Sequence, residues 1–189
     1  MGSLPLSAAD MKGQAVTLET SDGWSLSGVY QTPTEEHRTV ILLHDLGKDK
    51  TAFTKFAASL ASAGYGYLAF DFRGHGQSIN QGEYASFARE GLDNEFNKMP
   101  RDVEAAVSFL QKKGISLDNM VLLGAGLGAN VAAKSVTLTP DIGSLALITP
   151  TTNTRDVLTI PAMRLYKGNV LIAVGAEDKK TFLEASVIR

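Results

Sequence analysis

Five short apolar runs are spaced along the chain, and helical patterning separates most of them. Thr39–His44 (TVILLH), Gly66–Asp71 (GYLAFD), Asn119–Leu123 (NMVLL), Ser144–Thr149 (SLALIT) and Asn169–Gly175 (NVLIAVG) are nearly continuous in apolar residues. Such runs suit strands covered on both faces rather than strands with one wet side. Between them, Thr51–Ala63 carries Phe53, Phe56, Ala57 and Leu60 at helical spacing, with Gly64 to stop it. Met99–Lys113 places Val103, Ala106, Val107 and Leu110 on one face. Gly128–Val136 and Asp178–Ile188 read as two further helices. Repeated strand–helix–strand units require a mostly parallel sheet with helices on both faces.

Ahead of this series, Ala15–Thr20 alternates apolar and polar residues, Ser21-Asp22-Gly23 makes a turn, and Trp24–Thr32 returns. This predicts an antiparallel hairpin at the start of the sheet. Gln81–Lys98 and Pro150–Gly168 show no clear periodicity and read as loops with short helical pieces. The expected organisation is a flexible tail over residues 1–14 and one domain over 15–189. Leu4 to Ala9 ends in a small-x-small pattern like a processed export signal, so the compartment stays open between cytoplasmic and exported.

Several function classes fall away. With 44% hydrophobic residues and a net charge of −2, the chain has material for a core and no electrostatic footprint for nucleic acid or an anionic membrane. Without cysteine it has no disulfide and no thiolate chemistry, and its three histidines lie in separate segments, so no metal is expected. No apolar run is long enough to span a bilayer.

The stretch VLLGAGLGANVA, Val121–Ala132, allows two chemistries. As G-x-G-x-x-A, Gly124, Gly126 and Ala129 would place a dinucleotide at a helix N-terminus. That reading wants an acid at the end of the next strand, where Thr149-Pro150-Thr151 stands instead. It also wants the motif in the first strand–helix–strand unit, yet four strands precede it. As G-x-S-x-G with glycine in place of serine, the same stretch is a sharp strand-to-helix bend that needs small residues two positions either side of the nucleophile. Gly124 and Gly128 meet that need.

Further segments support the second reading. Leu42–Gly47 (LLHDLG), Asp71–Ser78 (DFRGHGQS), Leu122–Asn130 (LLGAGLGAN) and Val170–Lys179 (VLIAVGAEDK), taken in order, resemble the α/β-hydrolase superfamily near its dienelactone-hydrolase-like and carboxylesterase-like members. The resemblance implies an α/β-hydrolase fold with no large lid, and acyl transfer by a serine, a histidine and an acid, without cofactor. Residue by residue, it places the nucleophile at Gly126, the acid at Asp178 (with Glu177 as the alternative), and the oxyanion-holding N–H groups at Leu46 and Leu127. The family's histidine follows the acid, and no histidine of this sequence lies beyond His75. Relatives continue with a further strand, a histidine loop and a closing helix, so the fold reads as C-terminally short. His44 and His75 belong to structural turns of the family, and His37 to a solvated loop. Asp45 stands where the family has glycine, and a carboxylate pointing inward there would oppose a developing oxyanion.

The expectation is therefore an esterase-type hydrolase fold that lacks its nucleophile and histidine. The alternatives are a non-catalytic ligand-binding or scaffolding module on the same fold and, more distantly, a dinucleotide binder. Expected partners are a small ester-like ligand and a second copy of the chain, paired through an exposed sheet edge.

Overall fold

A computed structural model of the chain describes residues 11–34, 37–91 and 93–188. Most of the expected tail, and with it the export hint at Leu4 to Ala9, lies outside the described residues. Met11 is already buried, and the Tyr67 hydroxyl donates to the Lys12 carbonyl.

The elements follow the apolar runs closely. Strands β1 (Gln14–Glu19) and β2 (Ser25–Gln31) form the hairpin, followed by β3 (Thr39–Leu43), α1 (Thr54–Ser62) and β4 (Gly66–Phe70). A long excursion carries a short α2 (Glu95–Lys98) and runs into α3 (Pro100–Lys112). Then come β5 (Met120–Ala125), α4 (Leu127–Ser135) and β6 (Ser144–Ile148). The chain ends through β7 (Asn153–Thr154), β8 (Val157–Leu158), α5 (Ile160–Met163), β9 (Asn169–Ala173) and α6 (Lys179–Ser186).

Seven strands make one sheet in the order β1-β2-β4-β3-β5-β6-β9. Strand β2 is antiparallel to both β1 and β4, and every pairing from β4 to β9 is parallel. Side-chain alternation divides the core. Ile41 and Leu43 of β3 pack with Val103, Val107 and Leu110 of α3 on one face. Val40 and Leu42 pack with Phe53 and Ala57 on the other. Every residue of β3 and β4 is buried, as strands covered on both faces require.

Three local expectations are corrected. The stretch read as a helix from Thr51 opens as a 3-10 turn, Lys50–Phe53, before α1 begins. That change of helical phase leaves Phe56 41% exposed rather than on the buried face with Phe53 and Ala57. The segment after β6 holds a hairpin, β7–β8, besides its short helix. The turn of that hairpin puts Arg155 and Asp156 at φ 56° and 62°, a conformation that glycine or asparagine usually supplies, so no turn residue announced it.

The order of strands decides where a site can form. From β3 the chain crosses to β4 on one side, and from β4 it crosses back to β5 on the other. The loops leaving the C-terminal ends of neighbouring β3 and β5 therefore diverge, and a crevice opens between them. Asp45 follows β3 and Gly126 follows β5.

Candidate active site

The bend at Gly126 has the geometry its spacing implies. Gly126 takes φ 53° and ψ −120°, between the end of β5 and the first turn of α4. Such angles are open to glycine and strained for other residues. Its N–H continues the β5–β6 ladder to the Ile148 carbonyl at 3.0 Å, while its own carbonyl accepts from Ala129 and Asn130 and so starts the helix. Strand and helix are thus joined at a single residue. A Cβ on Gly124 would lie 2.6 Å from the Ala129 nitrogen, and one on Gly128 would lie 2.6 Å from the His44 carbonyl oxygen. The chain doubles back too tightly for a side chain at either place.

The two N–H groups assigned by resemblance to the oxyanion hole converge on one atom. Leu46 donates to Asp45 Oδ1 at 2.7 Å, and Leu127 donates to the same oxygen at 2.8 Å. The carboxylate that replaces the family's glycine sits between both donors, on a residue that remains exposed. It also takes the volume a nucleophile would need. A Cβ on Gly126 would lie 2.6 Å from Asp45 Oδ2 and closer still to Oδ1. The glycine and the aspartate are two parts of one arrangement, because the carboxylate in this position occupies the space next to position 126 that a side chain there would enter. One carboxylate at the first free amide of a helix is also favoured by the helix dipole.

Glu177 and Asp178 follow β9, at the same end of the sheet as Gly126. Asp178 is exposed at the start of α6, where it accepts the Thr181 N–H at 3.0 Å, and that bond holds its carboxyl below the usual carboxylate range. It acts as a helix cap here, two strands away from Gly126 along the sheet edge. Glu177 is exposed beside it. Two serines of neighbouring segments, Ser78 and Ser135, offer no replacement nucleophile at the bend, since their hydroxyls donate inside the fold to the carbonyls of Asp71 and Val131. His37 sits in an exposed loop against Tyr65.

His44 and His75 are buried beneath the crevice, their ring centroids 5.1 Å apart. His44 Nδ1 donates to the Asp45 carbonyl at 2.8 Å, and Nε2 accepts from the Phe72 N–H at 3.0 Å. Each ring nitrogen has a partner suited to the neutral imidazole, and the ring ties the β3 loop to the β4 loop. His75 Nδ1 donates to the Arg73 carbonyl, and its ring stacks on Tyr84 at 4.2 Å. Burial pushes His44 down to about 4 and lowers His75 as well.

That depression has a consequence for stability. The unfolded chain binds a proton at His44 near pH 6.5 while the folded chain does so only near 4, so the contribution is complete above 6.5 and disappears as the pH falls toward 4. Unfolding in urea should show a loss of about 2 kcal/mol between pH 7 and pH 5 from this group. His75 adds to the loss with the same sign. A flat profile across that interval would mean that the rings are already hydrated in the native state.

One functional-looking residue was overlooked in the sequence. Asn130, fully buried in α4, donates to Thr151 Oγ1 at 3.1 Å and to the Val157 carbonyl at 3.0 Å, and accepts the Thr151 N–H at 3.0 Å. It pins the segment after β6 against the bend. Its signal was the asparagine closing the GLGAN motif, a polar residue on an otherwise apolar helix face.

Comparison with known proteins agrees with this frame. A family model described as serine aminopeptidase, S33, matches residues 34–177. No curated protein sequence matches the chain significantly. Among solved structures, an esterase of Pyrococcus furiosus superposes with a TM-score of 0.68 at 17% identity, covering 97% of this chain and 81% of that one. An esterase from Exiguobacterium antarcticum gives 0.59 at 18%, covering 83% and 52%. A putative epoxide hydrolase from Klebsiella pneumoniae gives 0.56 at 23%, covering 76% and 44%. Against the latter two the chain spans about half of the neighbour's length, and at these identities the likeness concerns the fold. The divergent crevice between β3 and β5, the glycine-flanked bend within it and the matched span of sequence agree, and the chain belongs to the S33 serine aminopeptidase family of α/β-hydrolases.

Proposed function

We propose that this chain keeps the hydrolase frame as a binding or scaffolding module and does not carry out acyl transfer. The reading rests on one observation above all, that Asp45 Oδ1 accepts from both Leu46 and Leu127 where an oxyanion would have to sit. In an active serine hydrolase those donors stabilise the charge that develops on the substrate oxygen, and loss of one of them costs on the order of 100- to 1,000-fold in rate. Here both are engaged by a resident negative charge. Position 126 also offers no atom to attack a carbonyl.

The test is turnover of short-chain p-nitrophenyl esters together with labelling by a fluorophosphonate probe. The expected result is hydrolysis no faster than the buffer blank and no covalent adduct. Saturable turnover, or a probe adduct on any serine, would overturn the reading. Gly126→Ser alone is expected to stay unlabelled, because the new side chain meets the Asp45 carboxylate.

A further inference from the structure

The strand order places β3 and β5 between β4 and β6. The segments that leave the C-terminal ends of β4 and β6 nevertheless touch each other. Asn94 Nδ2 donates to the Arg155 carbonyl at 3.0 Å, and the Arg155 guanidinium lies 5.8 Å over the Phe96 ring. The Gly91 N–H donates to Asp156 Oδ2 at 2.6 Å. The β7–β8 hairpin therefore bridges the ends of β3 and β5, beside which Asp45 and Gly126 lie. Its underside rests on α4. Val157 is fully buried in the cluster that includes Leu127, and its carbonyl accepts from Asn130.

Strained backbone makes up this bridge. Among the described residues, three other than glycine take φ in the left-handed region, and all three stand here, Thr149 at 53°, Arg155 at 56° and Asp156 at 62°. Thr149 is β-branched and precedes Pro150, which makes its conformation costlier still. Glycine or asparagine would remove the strain at the turn. Strain of this kind persists only while surrounding contacts hold it, and it favours release when they break. The contacts at the tip come from Gly91, Asn94 and Phe96. The base is tied separately, by Thr159 Oγ1 donating to the Thr151 carbonyl and by the Thr152 N–H donating to Glu184.

We propose that the β7–β8 hairpin is a strap with two states, closed over the bend as described here and lifted from it about its tied base. Closure sets the contacts at the tip against the strain at Arg155 and Asp156. On lifting, the turn relaxes, Val157 leaves α4, and the side of the bend toward α4 opens to solvent. The strap governs access to the bend whatever the bend binds, and its test reads opening alone.

The chain has no cysteine, so Val157→Cys introduces a single thiol on the underside of the strap. Val103→Cys, equally buried on α3, is the reference for global unfolding. Under native conditions a thiol reagent should modify position 157 about tenfold faster than position 103, or more, because local opening precedes global unfolding. Asp156→Ala removes the acceptor for Gly91 and should speed labelling at 157 while leaving that at 103 less affected. Arg155→Ala and Arg155→Gly both lose the guanidinium and differ in backbone strain. With alanine, position 157 should label about 5- to 30-fold faster than with glycine. Labelling at 157 no faster than at 103, equal rates for the two Arg155 variants, or no acceleration by Asp156→Ala would each overturn the proposal.

Discussion

Gly128→Ala should destabilise the protein by about 3 kcal/mol, the upper end of the usual overpacking cost, because the backbone it meets cannot move aside. Its new Cβ would lie 2.6 Å from the His44 carbonyl oxygen and closer still to that of Leu43. Both belong to the end of β3 or the residue after it, and the bend packs directly on that strand. A flexible side chain could rotate out of the way, but here relief requires separating α4 from the sheet centre. Gly124→Ala meets the same obstacle from the other side, against Ala129 and Gly128. For a domain of this size, such a loss lowers the melting temperature by roughly 6–12 °C. Gly175→Ala is the control, since a Cβ there meets nothing within 4 Å, and its melting temperature should stay close to that of wild type. If Gly128→Ala melted with the control, the bend would not be as tight as described, and the case for a hydrolase elbow would weaken with it.

The second large effect lies beneath the crevice. Arg73 is fully buried and donates to three carboxylates. It reaches Asp102 at 2.9 and 2.7 Å, Asp22 at 2.9 and 3.1 Å, and Glu95 at 2.9 Å. Asp102 is itself fully buried and also accepts the Arg73 backbone N–H at 3.0 Å. Arg73→Leu removes the guanidinium and leaves that carboxylate without its counter-charge, at an expected cost of about 3–5 kcal/mol. Arg73→Leu combined with Asp102→Leu should recover part of the loss, because the uncompensated charge is then gone. Chemical denaturation of the two variants separates this account from a simple loss of packing, in which the double variant would be the less stable of the two. The site feels the change, since the loop that carries Arg73 also carries Phe72, the donor to His44.

Much of this architecture is legible in the residues. The fully apolar runs of β3 and β4 and the turn at Ser21-Asp22-Gly23 were enough for the sheet and its starting hairpin, because burial on both faces leaves a continuous apolar signature. Gly124 and Gly128 announced the bend by their spacing. The β7–β8 hairpin stayed hidden because its turn puts Arg155 and Asp156 where glycine is usual, held there by contacts distant in sequence. Asn94 donates to the Arg155 carbonyl and Gly91 to the Asp156 carboxylate. At the site, the sequence showed a carboxylate beside the two amides but not which way it turned. That direction depends on a side-chain torsion and on space left by Gly126, distant in the chain. Asp178 reads in the sequence either as the acid position or as a helix cap, and the structure shows it capping α6.

The central claim is that one carboxylate oxygen of Asp45 holds the amides of Leu46 and Leu127 together. Backbone amide proton shifts measured on wild type and on Asp45→Ala test it most directly. Charge-assisted bonds to a carboxylate should move both amide protons downfield in wild type, and removal of the side chain should return both upfield. Leu127 is the decisive signal, because it is remote from the substitution in sequence. A Leu127 amide that does not respond to loss of the Asp45 side chain would contradict the claim, and the pair of donors would be open.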